Sequence, residues 1–501
     1  MNYISTRGDK LKVSAAAAIR FGLAPDGGLF TPETIPQLSN DTLKTLLNMD
    51  YQELATTILG LFLTDYDTAR LKEMIGAAYA YPDKFSSAKV TPVSKLSDNQ
   101  YLLELWHGPT CAFKDVALQL LPYLLTEANQ ITNNFKEVVI LVATSGDTGK
   151  AALEGFKDVP GTKIIVFFPE DGVSEIQRAQ MVTQEGQNTY VVAVKGNFDD
   201  AQNGVKKVFT DDLIKQLLEK NNMSFSSANS INWGRLAPQI VYYFFGYFEM
   251  CRQGAIEFGK PINISVPTGN FGNILAGYFA KTMGLPINKM ICASNSNNVL
   301  TDFINTGVYN RNRQFYTTIS PSMDILISSN LERLLFYISG QNHDLVAGWM
   351  NQLKDNGTYQ VDSEASAKIK ELFYGGYATE DATMDTIKTV FETTGMVIDT
   401  HTAVGQYVCE QYQRETGDQT PVLIASTASP FKFNSSVIKA LKGEGVIAAQ
   451  SEFELLKKLH EISGLTIPAS LNELTDKPIL HQRSCEREQM ANVVKEILKL
   501  D

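Results

Sequence analysis

Lys114 lies in the segment Leu105–Asp115, LWHGPTCAFKD, after a turn made by Gly108, Pro109 and Thr110 and between Phe113 and Asp115. A lysine held by a turn among apolar residues loses solvation. Desolvation favours the neutral amine, the form that adds to a carbonyl to give a Schiff base. Most lysines are solvated surface residues, so the segment alone does not separate a nucleophile from an ordinary side chain. Asp115 reads as a helix cap.

Three further segments could hold anions. Thr144–Gly149, TSGDTG, follows the apolar run Glu137–Ala143, and Pro267–Asn273, PTGNFGN, follows Ile262–Val266. A glycine turn between a strand and a helix offers backbone N–H groups and a helix N-terminus to a carboxylate or phosphate. The alternative for each is an ordinary connection. Asn229–Arg235, NSINWGR, brings Asn and Ser side chains and one arginine that could clamp an anion or cap the helix that follows. In Ala425–Phe433, ASTASPFKF, hydroxyls at a strand end could meet a heteroaromatic nitrogen or pair with backbone.

Neither glycine turn is a nucleotide motif. In the first, Thr144 replaces the glycine that opens a phosphate loop, and Ala151 replaces its hydroxyl. In the second, Asn270 and Phe271 separate the glycines, so the dinucleotide fingerprint fails. The cysteines Cys111, Cys251, Cys292, Cys409 and Cys485 have no metal or redox spacing, and no metal is expected.

These segments need elements to position them. Glu137–Ala143, Lys163–Phe168, Thr189–Lys195, Ile262–Val266, Met290–Ser294 and Val422–Ser426 read as buried strands, and helical stretches alternate with them. That alternation predicts an α/β fold with parallel sheets flanked by helices, binding ligands at the C-terminal strand ends. The first ninety or so residues read mainly helical, around Asp41–Asn48, Tyr51–Leu63 and Thr68–Tyr81. The stretch 297–400 reads as a polar, helical insertion, and the tail after Phe453 as largely helical.

The 501 residues exceed one ordinary domain, and 44% hydrophobic content supports a sizeable core. A net charge of -11 argues against nucleic acid and anionic membrane as partners. A polar N-terminus, no long apolar run and few cysteines lead us to expect a soluble, cytoplasmic protein.

Taken together, the segments resemble the threonine synthase family, pyridoxal-phosphate enzymes of the tryptophan synthase β-like fold (fold type II), in its form with a long N-terminal segment. HGPTCAFKD is similar to the family's lysine motif. ATSGDTGKAA, SANSINWGR and SVPTGNFGN follow in the family's order, and STRG at Ser5–Gly8 with GLAPDGGLF at Gly22–Phe30 is similar to its opening. The resemblance implies an N-terminal segment over 1–95 and a catalytic region over 96–501, with a smaller lobe at 116–227. It implies pyridoxal 5'-phosphate bound covalently to Lys114. Gly269, Asn270, Phe271, Gly272 and Asn273 would hold the cofactor phosphate, Thr427 the pyridine nitrogen, and Asp147 the ring. Ser145, Thr148, Asn229, Ser230 and Arg235 would face the substrate, O-phospho-L-homoserine, which with water becomes L-threonine and phosphate. A phospho-lyase that releases a keto acid is the nearest alternative. The expected assembly is a monomer or homodimer. Ser429 and Phe431 depart from the family's pattern near the pyridine end. Ser322, Met323, Asp324 and His401 resemble family positions without an assigned role.

Overall fold

The computed structural model describes residues 1–144, 146–170, 173–448 and 450–500, the side chain of Asp199 excepted. Two sheets organise the chain. The larger has the strand order Phe373–Tyr377, Ile287–Ser294, Ile262–Pro267, Val422–Ser426, Gln100–Glu104, Val93–Lys95. Its neighbours are parallel except the last pair. The smaller sheet is parallel throughout, in the order Arg483–Glu486, Thr189–Lys195, Thr162–Pro169, Glu137–Ala143, Met223–Ser226.

The strands are apolar runs because both sheet faces are covered. Val138, Ile140 and Val142 join the main core. Val139 and Leu141 join Ile165, Phe167 and the helix Met490–Leu498 on the opposite face.

The N-terminal helices Asn40–Leu46, Tyr51–Phe62 and Thr68–Ala78 are capped by Ser39, Asp50 and Asp67. The strands Tyr3–Ser5 and Phe30–Pro32 pair antiparallel beside them. Trp233 anchors this segment to the long helix Trp233–Arg252, its ring centroid 5.4 Å from that of Tyr3 and 5.5 Å from that of Phe62. Among the described residues, no helix is long and apolar enough to cross a membrane.

Two stretches differ from the sequence expectation. The tail is not only helical: Arg483–Glu486 supplies an edge strand of the smaller sheet. With one buried residue in four it carries too little periodicity to be read as a strand. The stretch 297–400 is mostly helical, but Phe373–Tyr377 within it forms the edge of the larger sheet. Gly375 and Gly376 disguise that strand. A Cβ on Gly375 would stand 3.1 Å from the Thr301 carbonyl oxygen, so the helix Val299–Thr306 approaches because side chains are absent there.

Candidate active site

The strands Gln100–Glu104 and Val422–Ser426 run parallel, and the chain stays paired after both end. Leu105 N–H donates to Ser426 O (2.9 Å), Phe113 N–H to Thr427 O (2.8 Å), and Ser429 N–H to Cys111 O (3.1 Å). These bonds set Thr427 beside the start of the helix Lys114–Leu118.

Asp115 is not the cap of that helix. It sits in the first turn, fully buried, and accepts from the Thr110 N–H (2.8 Å) and hydroxyl (2.6 Å). Burial pushes its pKa up to about 6 despite those donors. Gly108 makes the turn feasible, since a Cβ there would fall 2.4 Å from the Asp115 Cβ. The turn thereby points Lys114 inward. Its side chain is buried, and burial lowers its pKa while the Asp147 carboxylate opposes the shift. The Nζ donates to Ser322 Oγ (2.9 Å) and lies 3.5 Å from Asp147 Oδ2.

Asp147 begins the helix Asp147–Phe156 beyond the smaller sheet and reaches across to the other lobe. Its Oδ1 is 2.7 Å from Lys432 Nζ and accepts from Gln177 Nε2 at 3.0 Å. Burial opposes its charge, yet Lys432 and Lys114 hold the carboxyl well below the usual range. Lys432 also donates to the Thr110 carbonyl (2.9 Å), so one buried ammonium links the lysine turn to the smaller lobe. The departures at Ser429 and Phe431 are absorbed locally. Ser429 caps the turn Pro430–Phe433, and Phe431 is buried in the same apolar cluster as Cys111, Ile176 and Val404.

The two glycine turns differ from each other. In TSGDTG, Thr144 Oγ1 accepts from the N–H groups of both Gly146 and Gly149, each at 2.9 Å. The turn therefore spends two of its donors internally and places an anion, Asp147, at the helix start. Thr148 is half-buried in the first helical turn. Ser145 lies outside the described residues.

In PTGNFGN, the carbonyls of Gly269 and Asn270 are pulled outward. Ser328 Oγ donates to the first at 2.7 Å, and the Asn330 N–H and Nδ2 both donate to the second at 3.1 Å. Because each peptide is trans and planar, the N–H groups of Asn270 and Phe271 turn the other way. Among the described residues, the N–H groups of Gly269, Asn270, Phe271, Gly272 and Asn273 have no protein acceptor. Phe271 adopts φ +64 and opens the helix Gly272–Thr282 without a side-chain cap. Asn273 accepts from Tyr242 (2.7 Å) and Tyr243 through its Oδ1, while its Nδ2 is buried and unpartnered. Gly269 is obligatory here, because a Cβ would lie 2.6 Å from the Ser322 carbonyl oxygen.

Of the third segment, Asn232 is the cap of Trp233–Arg252, Asn229 is exposed, and Ser230 is half-buried. A Cβ on Gly272 would be 3.9 Å from Ser230 Cβ, so this segment borders the second cradle. Arg235 is buried, donates to the Ala228 carbonyl (2.7 Å), and has no carboxylate partner among the described residues. Burial pulls its pKa down to about 10, and its charge acts on Lys114. A buried guanidinium without a counter-ion fits an anionic ligand.

A lysine amine, a cradle of unspent N–H donors and an arginine without a counter-ion thus lie close together. They suit pyridoxal phosphate, whose aldehyde Lys114 would take and whose phosphate Gly269–Asn273 would hold; Thr427 lies beside the start of the Lys114 helix, its carbonyl accepting from the Phe113 N–H. Sequence reasoning did not assign Ser322, Ser328, Asn330, Gln177 or Lys432. Ser322 and Lys432 sit in segments singled out by resemblance. Ser328, Asn330 and Gln177 act through tertiary contacts that leave no local spacing signal.

The comparisons with known proteins agree with this geometry. The family descriptions "Threonine synthase N terminus", "Pyridoxal-phosphate dependent enzyme" and "Threonine synthase, C-terminal" match residues 2–79, 88–427 and 402–494. Threonine synthase-like 1 of Homo sapiens is 41% identical over 95% of this chain, which covers 63% of that protein's length. Threonine synthase of Methylobacillus glycogenes is 41% identical over 88% of this chain and 92% of its own. The crystal structure of PLP-bound threonine synthase from Brucella melitensis superposes with a TM-score of 0.87 at 36% identity, covering 100% of this chain and 99% of that one. With a fold of type II and sequence similarity along nearly its whole length, the chain belongs to the threonine synthase family of pyridoxal-phosphate-dependent enzymes.

Proposed function

We propose that this protein is a threonine synthase, converting O-phospho-L-homoserine and water into L-threonine and phosphate. One observation carries the reading. A buried lysine shares its surroundings with two kinds of anion-binding group, the N–H cradle Gly269–Asn273 and Arg235, which has no carboxylate partner among the described residues. A phosphate-bearing cofactor and a phosphate-bearing substrate need such a pair.

In this reading Lys114 holds the cofactor, Gly269, Asn270, Phe271, Gly272 and Asn273 hold its phosphate, and Thr427 meets the pyridine nitrogen. When bound, the cofactor supplies an electron-accepting ring that stabilises negative charge at the substrate Cα. Lys114 removes the Cα proton, and its amine then serves Cβ and Cγ, aided by the burial that lowers its pKa. Asp147, fixed by Lys432 and Gln177, keeps the lysine in the cleft. Arg235, with Asn229 and Ser230, binds the substrate phosphate and stabilises the charge that develops as it leaves. Ser145 and Thr148 line the substrate side. The catalytic region 96–501, with its smaller lobe at 116–227, closes on the substrate to exclude water, while 1–95 forms the N-terminal segment. Expected setting and assembly are the cytoplasm and a monomer or homodimer.

Incubating purified protein with O-phospho-L-homoserine tests this. Threonine and phosphate in equal amounts are expected. Phosphate with a keto acid would make the protein a phospho-lyase instead.

A further inference from the structure

The Lys114 amine has a neighbour whose position is fixed from a second site in the fold. Ser322 lies on the turn Pro321–Met323, and its Oγ accepts from Lys114 Nζ at 2.9 Å. Its backbone N–H donates to His401 Nε2 at 3.1 Å. That nitrogen is therefore the unprotonated one, and the ring proton sits on Nδ1, 2.8 Å from Asp399 Oδ2. The His401 ring is buried and held edge-on against Phe433, with centroids 4.8 Å apart.

Asp399 is fully buried and caps the helix Thr400–Thr416, accepting from the N–H groups of His401 (2.9 Å) and Thr402 (3.1 Å) and from the Thr402 hydroxyl. Capping needs only those backbone bonds. The further chain from carboxylate to imidazole to the Ser322 amide adds nothing to the cap. Ser322 is also confined from the other side, since its carbonyl oxygen packs against Gly269.

We propose that Asp399 and His401 are positioning residues for Lys114. Asp399 selects the tautomer of His401, His401 fixes the Ser322 backbone, and the Ser322 hydroxyl orients the lysine amine. The proposal rests on Lys114 being the cofactor lysine. It is the same logic by which an outer carboxylate–histidine pair orients a reactive group.

The test uses the full-length chain with Ser322→Ala, His401→Leu and His401→Gln. In His401→Gln the amide oxygen replaces the acceptor at Nε2. The rate at which pyridoxal phosphate attaches to cofactor-stripped protein, followed by absorbance across pH, reads the neutral fraction of Lys114. Asp147, Lys432 and Arg235 also act on this amine, from the helix Asp147–Phe156, the turn Pro430–Phe433 and the helix Trp233–Arg252. All three side chains are retained in these variants; Ser322→Ala also removes the 3.4 Å bond from the Ser322 hydroxyl to Asp147 Oδ2, which His401→Leu and His401→Gln keep.

Losing the Ser322 acceptor removes a bond that favours the charged amine, so the midpoint should fall by about one pH unit in S322A and H401L. The same two variants should lower kcat about tenfold with KM within twofold, and H401Q should recover most of both losses. If H401L does not fold, S322A and H401Q still decide the matter. A wild-type midpoint in S322A, or H401Q no nearer the wild type than S322A, overturns the proposal. A wild-type protein that forms no lysine-linked cofactor overturns the assignment of Lys114 and this proposal with it. A normal wild-type spectrum with unmoved variants overturns this proposal alone.

Discussion

The turns TSGDTG and PTGNFGN look alike as sequence, since each joins a buried strand to a helix through two glycines. In space their glycine N–H groups are used differently. Thr144 spends the donors of Gly146 and Gly149, and the helix that follows opens on the anionic Asp147, which is matched to Lys432 and Lys114. The second turn keeps its donors: five consecutive N–H groups and the Asn273 Nδ2 have no protein acceptor among the described residues. The sequence pattern marks where an anion site can be built. Whether one is built depends on which side chains consume the N–H groups.

Four substitutions can break or sharpen that contrast. The largest expected effect is on stability. Asp147→Asn leaves Lys432 buried without its counter-charge, which should cost about 3–5 kcal/mol in denaturant unfolding. Because the Asp147 carboxyl is held below its ordinary value in the folded state, its contribution is present above about pH 4 and is lost as pH falls further. The wild type should therefore lose stability through that acid range more steeply than the variant.

Asn273→Asp places a carboxylate where the cradle should receive a phosphate. Equilibrium dialysis should show pyridoxal phosphate bound about a hundredfold more weakly, a like-charge cost of several kcal/mol at most. Gly269→Ala drives a Cβ to within 2.6 Å of the Ser322 carbonyl oxygen. A strain of about 1–2 kcal/mol should weaken cofactor binding roughly tenfold in the same measurement. Thr144→Val frees the N–H groups of Gly146 and Gly149 and should cost about 1 kcal/mol in stability. It should leave cofactor affinity unchanged. A loss of affinity as large as that of Asn273→Asp would mean that both turns are anion sites.

Much of this arrangement was legible in the sequence. The strands Glu137–Ala143, Thr189–Lys195 and Val422–Ser426 match their apolar runs residue for residue, because strands covered on both faces cannot hide. The turn before Lys114 and the glycines of the second segment were visible in the sequence, but only the family resemblance singled out Lys114. What escaped was set by contacts distant in the chain. Asp115 reads as a cap until Thr110 is seen folded onto it. Phe373–Tyr377 and Arg483–Glu486 are edge strands with little burial pattern of their own. Ser328 and Asn330 hold the cradle from some sixty residues away, with no spacing to announce them.

The central claim, that Lys114 and the second cradle together form the cofactor site, is tested most directly by borohydride reduction of the protein with pyridoxal phosphate bound, followed by peptide mapping. A reduced cofactor attached to the peptide that carries Lys114, and absent in Lys114→Ala, is the expected result. Attachment to another lysine, or no attachment at all, would contradict it.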